Sequence, residues 1–158
     1  MKTQKTIWLA IALLTILNPA SSQPISGIIN IYTPVIGFEC DSTILLVGST
    51  AGFSSGNKVL LIQMQGADIS TAPDNTYGDF AATGTCGNYE FNRVRSISNN
   101  KIGLVYKLSR PYDLKGKVQL VFVPEYQDVA ITGTVSAQPW NGLTGGIIAL
   151  DVADELTI

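Results

Sequence analysis

The chain has 158 residues, 46% hydrophobic and only 14% charged, with a formal charge of −2, two cysteines and no histidine. Without histidine there is no Ser-His-Asp triad, no Cys-His dyad and no His-ligated metal. The acidic balance offers no footprint for nucleic acid, and high apolar content with low charge argues against disorder.

In chain order, residues 1–22 read as a secretory signal peptide. Lys2 and Lys5 form a positive start, and Ile7 to Leu17 is an eleven-residue apolar run. Asn18-Pro19 breaks that run, and Ala20 and Ser22 supply small residues for a cut before Gln23. The run is too short to span a bilayer, which takes about 20 residues. No lipobox cysteine sits at the cut. The expected location is secreted or at the extracellular cell surface, with no membrane span once the leader is removed. Removal takes two lysines and no acid, moving the net charge from −2 to −4.

Beyond Gln23 the apolar runs are short, β-branched and bounded by turn residues, a strand signature. They are Ile28–Tyr32, Thr43–Val47, Lys58–Met64, Tyr89–Ile97, Ile102–Leu108, Val118–Val123, Val129–Ile131, Ile147–Val152 and Leu156–Ile158. Asn99-Asn100 predicts a hairpin between the fourth and fifth runs. Within Tyr89–Ile97 the phase slips between Phe91 and Val94, which predicts a bulge. The expected class is all-β. A small antiparallel barrel or sandwich over residues 23–126 leads into a truncated extension over 127–158, whose short strands stack like the rungs of a solenoid.

Two further expectations concern stability. In an oxidising compartment Cys40 and Cys86 form one disulfide, closing a loop worth roughly 4 kcal/mol. Two separate thiols are the alternative. At the C-terminus, Asp154-Glu155 reads as a charged turn, followed by a Leu156–Ile158 strand with no partner. That strand is expected to pair with residues absent from this chain.

Candidate chemistry is sparse. Residues 66–87 form a long polar stretch with a helical turn expected near 74–80. Its Asp68, Asp74 and Asp79 carry oxygen ligands suited to calcium, although the spacing fits no EF-hand loop. Asx-turns or a helix cap account for the same residues. The carboxylates of Glu125 and Asp128, or of Asp154 and Glu155, are a weak pattern for glycoside hydrolysis. Tyr77, Phe80, Tyr112, Tyr126 and Trp140 are aromatics able to stack on sugar. Tyr126, Trp140 and Asn141 are the expected ligand contacts. Gly145-Gly146 is followed by no lysine and no helix, so it is no phosphate loop, and no cofactor is expected.

Four segments in order carry a resemblance: GNKVLLIQMQGAD (56–68), GNYEFNRVRSIS (87–98), VQLVFVPEY (118–126) and AQPWNGLTGGIIAL (137–150). Together they resemble the N-terminal region of large secreted, adhesin-like surface proteins of gliding-type bacteria with type IX secretion. The resemblance covers residues 28–158 and implies a non-catalytic extracellular module, a fragment of a longer chain, whose partner is a surface glycan or protein. The alternative is an accessory carbohydrate-binding domain of a secreted polysaccharide-acting enzyme.

Overall fold

A computed structural model describes residues 22–158; the leader, apart from Ser22, lies outside the described residues. The strands are β1 (Gln23–Gly27), β2 (Tyr32–Glu39), β3 (Ile44–Val47), β4 (Lys58–Gln63), β5 (Asp68–Ile69) and β6 (Phe80–Ala82). They continue as β7 (Tyr89–Ser98), β8 (Lys101–Leu104), β9 (Val118–Phe122), β10 (Glu125–Val135) and β11 (Asp151–Thr157). A 3-10 turn, Leu114–Gly116, precedes β9. No helix among the described residues is long and apolar enough to cross a membrane.

Six strands close an antiparallel barrel in the order β2-β3-β8-β7-β4-β9, with β9 returning to β2. Strand alternation sends every second side chain inward. Val59 and Leu61 of β4, Val118 and Leu120 of β9, and Leu45 and Val47 of β3 meet there with at most 1% exposure. Phe53, on the connection from β3 to β4, and Leu108, after β8, join this core. The two connections leave opposite ends of the barrel, so each end is stoppered by one apolar side chain.

Outside the barrel, β1, β10 and β11 form a three-stranded sheet in that order, and both pairings are parallel. The all-β class with an antiparallel barrel is therefore present, while β1, expected within the antiparallel part over 23–126, instead pairs in parallel with β10. The register of β10 on β11 is offset by 26 residues at Glu125↔Asp151 and by 27 at Asp128↔Glu155. The chain thus returns to a parallel neighbour after one circuit.

That circuit passes through 137–149, a strap laid over the outer faces of β4 and β9. Ile147 and Ala149 pack on Leu60, Val121 and Val123, which point away from the barrel axis. Polar side chains pin the strap. The Gly145 N–H donates to Gln119 Oε1 at 2.9 Å, and Gln119 Nε2 donates back to the Gly145 carbonyl at 3.0 Å. The Asn30 amide donates to the Phe122 and Ala149 carbonyls and accepts from the Ala149 N–H. The Tyr32 hydroxyl donates to the Ile147 carbonyl. A buried amide is tolerated only when its hydrogen bonds are made, and Gln119 is fully buried with both made.

Several expectations need correction. The Cys40–Cys86 disulfide is not formed, and both thiols are free. Cys40 lies in the turn from β2 to β3, and Cys86 in the turn before β7, with β8 between β3 and β7. The two inter-strand steps alone span roughly 10 Å, beyond the usual Cα reach of a disulfide. The segment after β8 occupies the gap: the Leu108 N–H bonds the Ser42 carbonyl, and the Asn88 amide bonds the Pro111 carbonyl. The Cys86 thiol instead donates to the Met64 carbonyl at 3.5 Å. Asp154-Glu155 is not a turn, because β11 runs unbroken through both, with the register shifted beside them. Residues 66–87 form the two-stranded pair β5–β6 and a hydrogen-bonded turn at 74–79 instead of a helical turn.

Candidate functional site

The outer wall of the barrel at β7 carries a cluster of exposed aromatic and charged groups. In β7, Asn92 and Val94 are buried, so Tyr89, Phe91 and Arg93 face outward. Tyr89 and Phe91 are 51% and 52% exposed, with ring centroids 6.3 Å apart at 83°, an edge-to-face pair. Two cations overlie the rings. Lys58 Nζ stands 5.4 Å from the Phe91 centroid, and the Arg110 guanidinium 5.9 Å from that of Tyr89. A groove of about 210 Å³ runs beside them, lined by Lys58, Phe91, Asn92, Arg93 and Tyr106.

The remaining side chains of β7 hold this surface in place. The β8 ladder ends at Leu104, and polar groups of β7 continue its work. Asn92 accepts from the Tyr106 N–H and donates to the Tyr106 carbonyl. The Glu90 carboxylate accepts from the backbone N–H groups of Ser109 and Arg110. Tyr106 and Arg110 are thereby fixed beside the aromatic pair.

The cations are fixed too. Arg93 makes a two-pronged pair with Glu125 of β10 and donates to the Gly56 carbonyl. The Glu125 carboxylate holds the Arg93 pKa above its ordinary value, chiefly through that hydrogen bond. Lys58 pairs with Asp151 of β11. Lys58 and Arg93 are thus each paired with a carboxylate, Asp151 and Glu125, while Glu90 meets Arg110 through its backbone N–H.

A second cavity, of about 250 Å³, lies at the end of the barrel carrying Ser42, lined by Phe38, Ser42, Leu108, Arg110, Pro111 and Tyr112. Burial, and then the neighbouring Glu90, push the Tyr112 phenol well up from its ordinary pKa. Leu108 belongs to the core, with Phe38 and Tyr112 packed against it, so the cavity floor is part of the barrel stopper.

The expected site residues are dispersed. Tyr126 lies on β10 opposite Val152, partly buried, and burial raises its phenol pKa. Trp140 and Asn141 lie on the strap. Trp140 is 38% exposed. Asn141 Oδ1 is used by its own turn, accepting from the Leu143 and Thr144 N–H groups. Asp68, Asp74 and Asp79 do not converge; among the described residues no group of three or more His, Cys, Asp or Glu is placed to hold a metal ion. Asp74 Oδ1 accepts from the Thr76 hydroxyl and N–H, an Asx-turn. Of the carboxylate pairs, Glu125 is committed to Arg93 and Asp154 accepts from Gln127.

Sequence reasoning missed Tyr89 and Phe91 as site residues because it grouped them with Val94 and Ile97 on one apolar face. The bulge, expected between Phe91 and Val94, instead lies between Val94 and Ser96. Ahead of it, Val94 is in phase with Asn92 and Glu90, and the aromatics fall on the opposite face.

No family model and no curated protein matches the chain. Two solved structures show partial likeness. One is the Gp54 tailspike of Acinetobacter baumannii bacteriophage AP22, in complex with a capsular saccharide, at 12% identity and a TM-score of 0.41. It covers 68% of this chain and 21% of that one. The other is the tailspike protein gp49 of Pseudomonas phage LKA1, at 13% identity and a TM-score of 0.37, covering 73% and 20%. The chain spans about a fifth of the length of either tailspike.

Proposed function

We propose that the chain is a non-catalytic module of an exported surface protein and holds a neutral glycan against the outer face of β7. The observation that carries this reading is the Tyr89–Phe91 pair, two half-exposed rings side by side on a closed barrel wall. Half-exposed rings give a ligand apolar contact area at little entropic cost, and a site built on strands is positioned more rigidly than one on loops. Lys58, Arg93 and the Tyr106 hydroxyl lie beside the rings as hydrogen-bonding groups. Because Lys58 and Arg93 are already paired with carboxylates, the wall favours hydroxyl-rich neutral sugars over uronic or sulfated ones. The resemblance of segments 56–68, 87–98, 118–126 and 137–150 to adhesin-like N-terminal regions supports the extracellular setting.

The test is calorimetric titration with a panel of neutral and acidic oligosaccharides. A neutral member should bind with little dependence on salt. Tyr89→Ala and Phe91→Ala should each weaken it about tenfold, or ~1.4 kcal/mol, while Trp140→Ala leaves it unchanged. Binding confined to acidic members, or affinity indifferent to both β7 substitutions, would sink the reading.

A further inference from the structure

The sheet β1-β10-β11 has two edges of different chemistry. On one edge, β1 carries Pro24 opposite Ala130. Proline is accommodated in a strand only where its missing N–H faces away from the ladder, so Pro24 deletes a donor from the outer edge of β1. On the other edge, β11 bonds β10 along its length, and among the described residues no strand pairs with its far side. The β11 sequence DVADELT contains no proline and no lysine, and its residues 153–157 are exposed. Leu156 is 41% exposed. Parallel sheets are ordinarily covered on both faces. One guarded edge and one open edge mean that the sheet can grow in a single direction.

The charge on β11 decides what can add there. Asp154 accepts from Gln127, whereas Glu155 has no hydrogen-bond or ion-pair partner among the described side chains and lies opposite Asp128 in the ladder. The three strands of this sheet contain no lysine or arginine. A second copy offering the same edge would set acid against acid, which disfavours pairing. We propose that the open edge of β11 is a strand-addition site. It takes an extended peptide segment, running parallel to β11, that places a lysine or arginine beside Glu155. The backbone of β11 would supply the affinity and Glu155 the selectivity.

The probe is a synthetic peptide copying β10, EYQDVAITGTV, carrying Asp128→Lys so that the new cation falls in register with Glu155. The control is the same peptide unsubstituted. Hydrogen exchange of the Ala153–Thr157 amides is followed at rising peptide concentration. The lysine peptide should slow these amides at least tenfold and bind at least tenfold tighter than the control. Glu155→Lys in the protein should reverse that preference, and a Leu156→Pro, Thr157→Pro double variant should abolish binding while the Leu61 and Leu120 amides stay protected. Equal affinity for the two peptides, or no added protection at millimolar peptide, overturns the proposal. So does protection of the same amides by raising the protein concentration alone, because that result assigns the edge to a second copy.

Discussion

Gln119 shows how one side chain can hold two layers together. It points away from the barrel axis, under the strap, and both ends of its amide are used by Gly145. Gln119→Ala would leave the Gly145 N–H and carbonyl buried without partners, so unfolding stability should fall by about 1–3 kcal/mol, read from the urea midpoint. At Asp74 the Thr76 hydroxyl and then the Thr76 N–H hold the carboxyl below its ordinary value of 3.8. A depressed acid stabilises the fold above its unfolded pKa and loses that contribution as pH falls through the lower folded value. The 70–79 turn should therefore persist at pH 3.8 and loosen only below it. A carbon-detected NMR midpoint for Asp74 at or above 3.8 would contradict the Asx-turn. Cys40 is exposed and Cys86 half-buried, both reduced. A thiol reagent should titrate two groups in the native protein, Cys40 first, and reduction should leave the melting temperature unchanged.

At the scale of elements, strands were legible where β-branched runs meet clear turns. Val118–Phe122, Lys58–Gln63 and the Asn99-Asn100 hairpin lie where periodicity places them. Other elements obey terms that a local pattern does not carry. Pro34 and Gly37 argue against a strand, yet β2 runs through both. It pairs with β9 as far as Pro34, then passes to β3, with a register shift between Val35 and Gly37. β1 and most of β10 owe their existence to each other across the whole chain, and no local alternation marks them. The candidate site was hidden for the same reason: the inward places of β7 went to Asn92 and Glu90, whose partners at 106–110 become visible only in three dimensions. The strap has its own hinge point in Gly145, at φ +110° with the Gln138 and Pro139 carbonyls 2.7 Å from where a Cβ would stand. Gly145→Ala should detach the strap and speed exchange at Ala149 and Val121, with Leu61 in the barrel core unaffected.

Across the whole molecule, the barrel and the parallel sheet are joined at the base of β10 and β11 by two ion pairs, Arg93–Glu125 and Lys58–Asp151. All four side chains are partly exposed, and such pairs contribute about 0–1 kcal/mol each. Their role here is placement, since they hold the two cations at the rim of the aromatic wall. Lys58→Met should leave stability within about 1 kcal/mol and still weaken glycan binding. In the proposed function the ligand contacts the barrel wall and not Tyr126 or Trp140. The most direct measurement is an amide chemical-shift map recorded while a binding neutral oligosaccharide is titrated into the labelled protein. The largest shifts should fall on Tyr89–Arg93, Lys58 and Tyr106, with Trp140 and Tyr126 unmoved. Shifts centred on Trp140 and Asn141, with β7 silent, would contradict it.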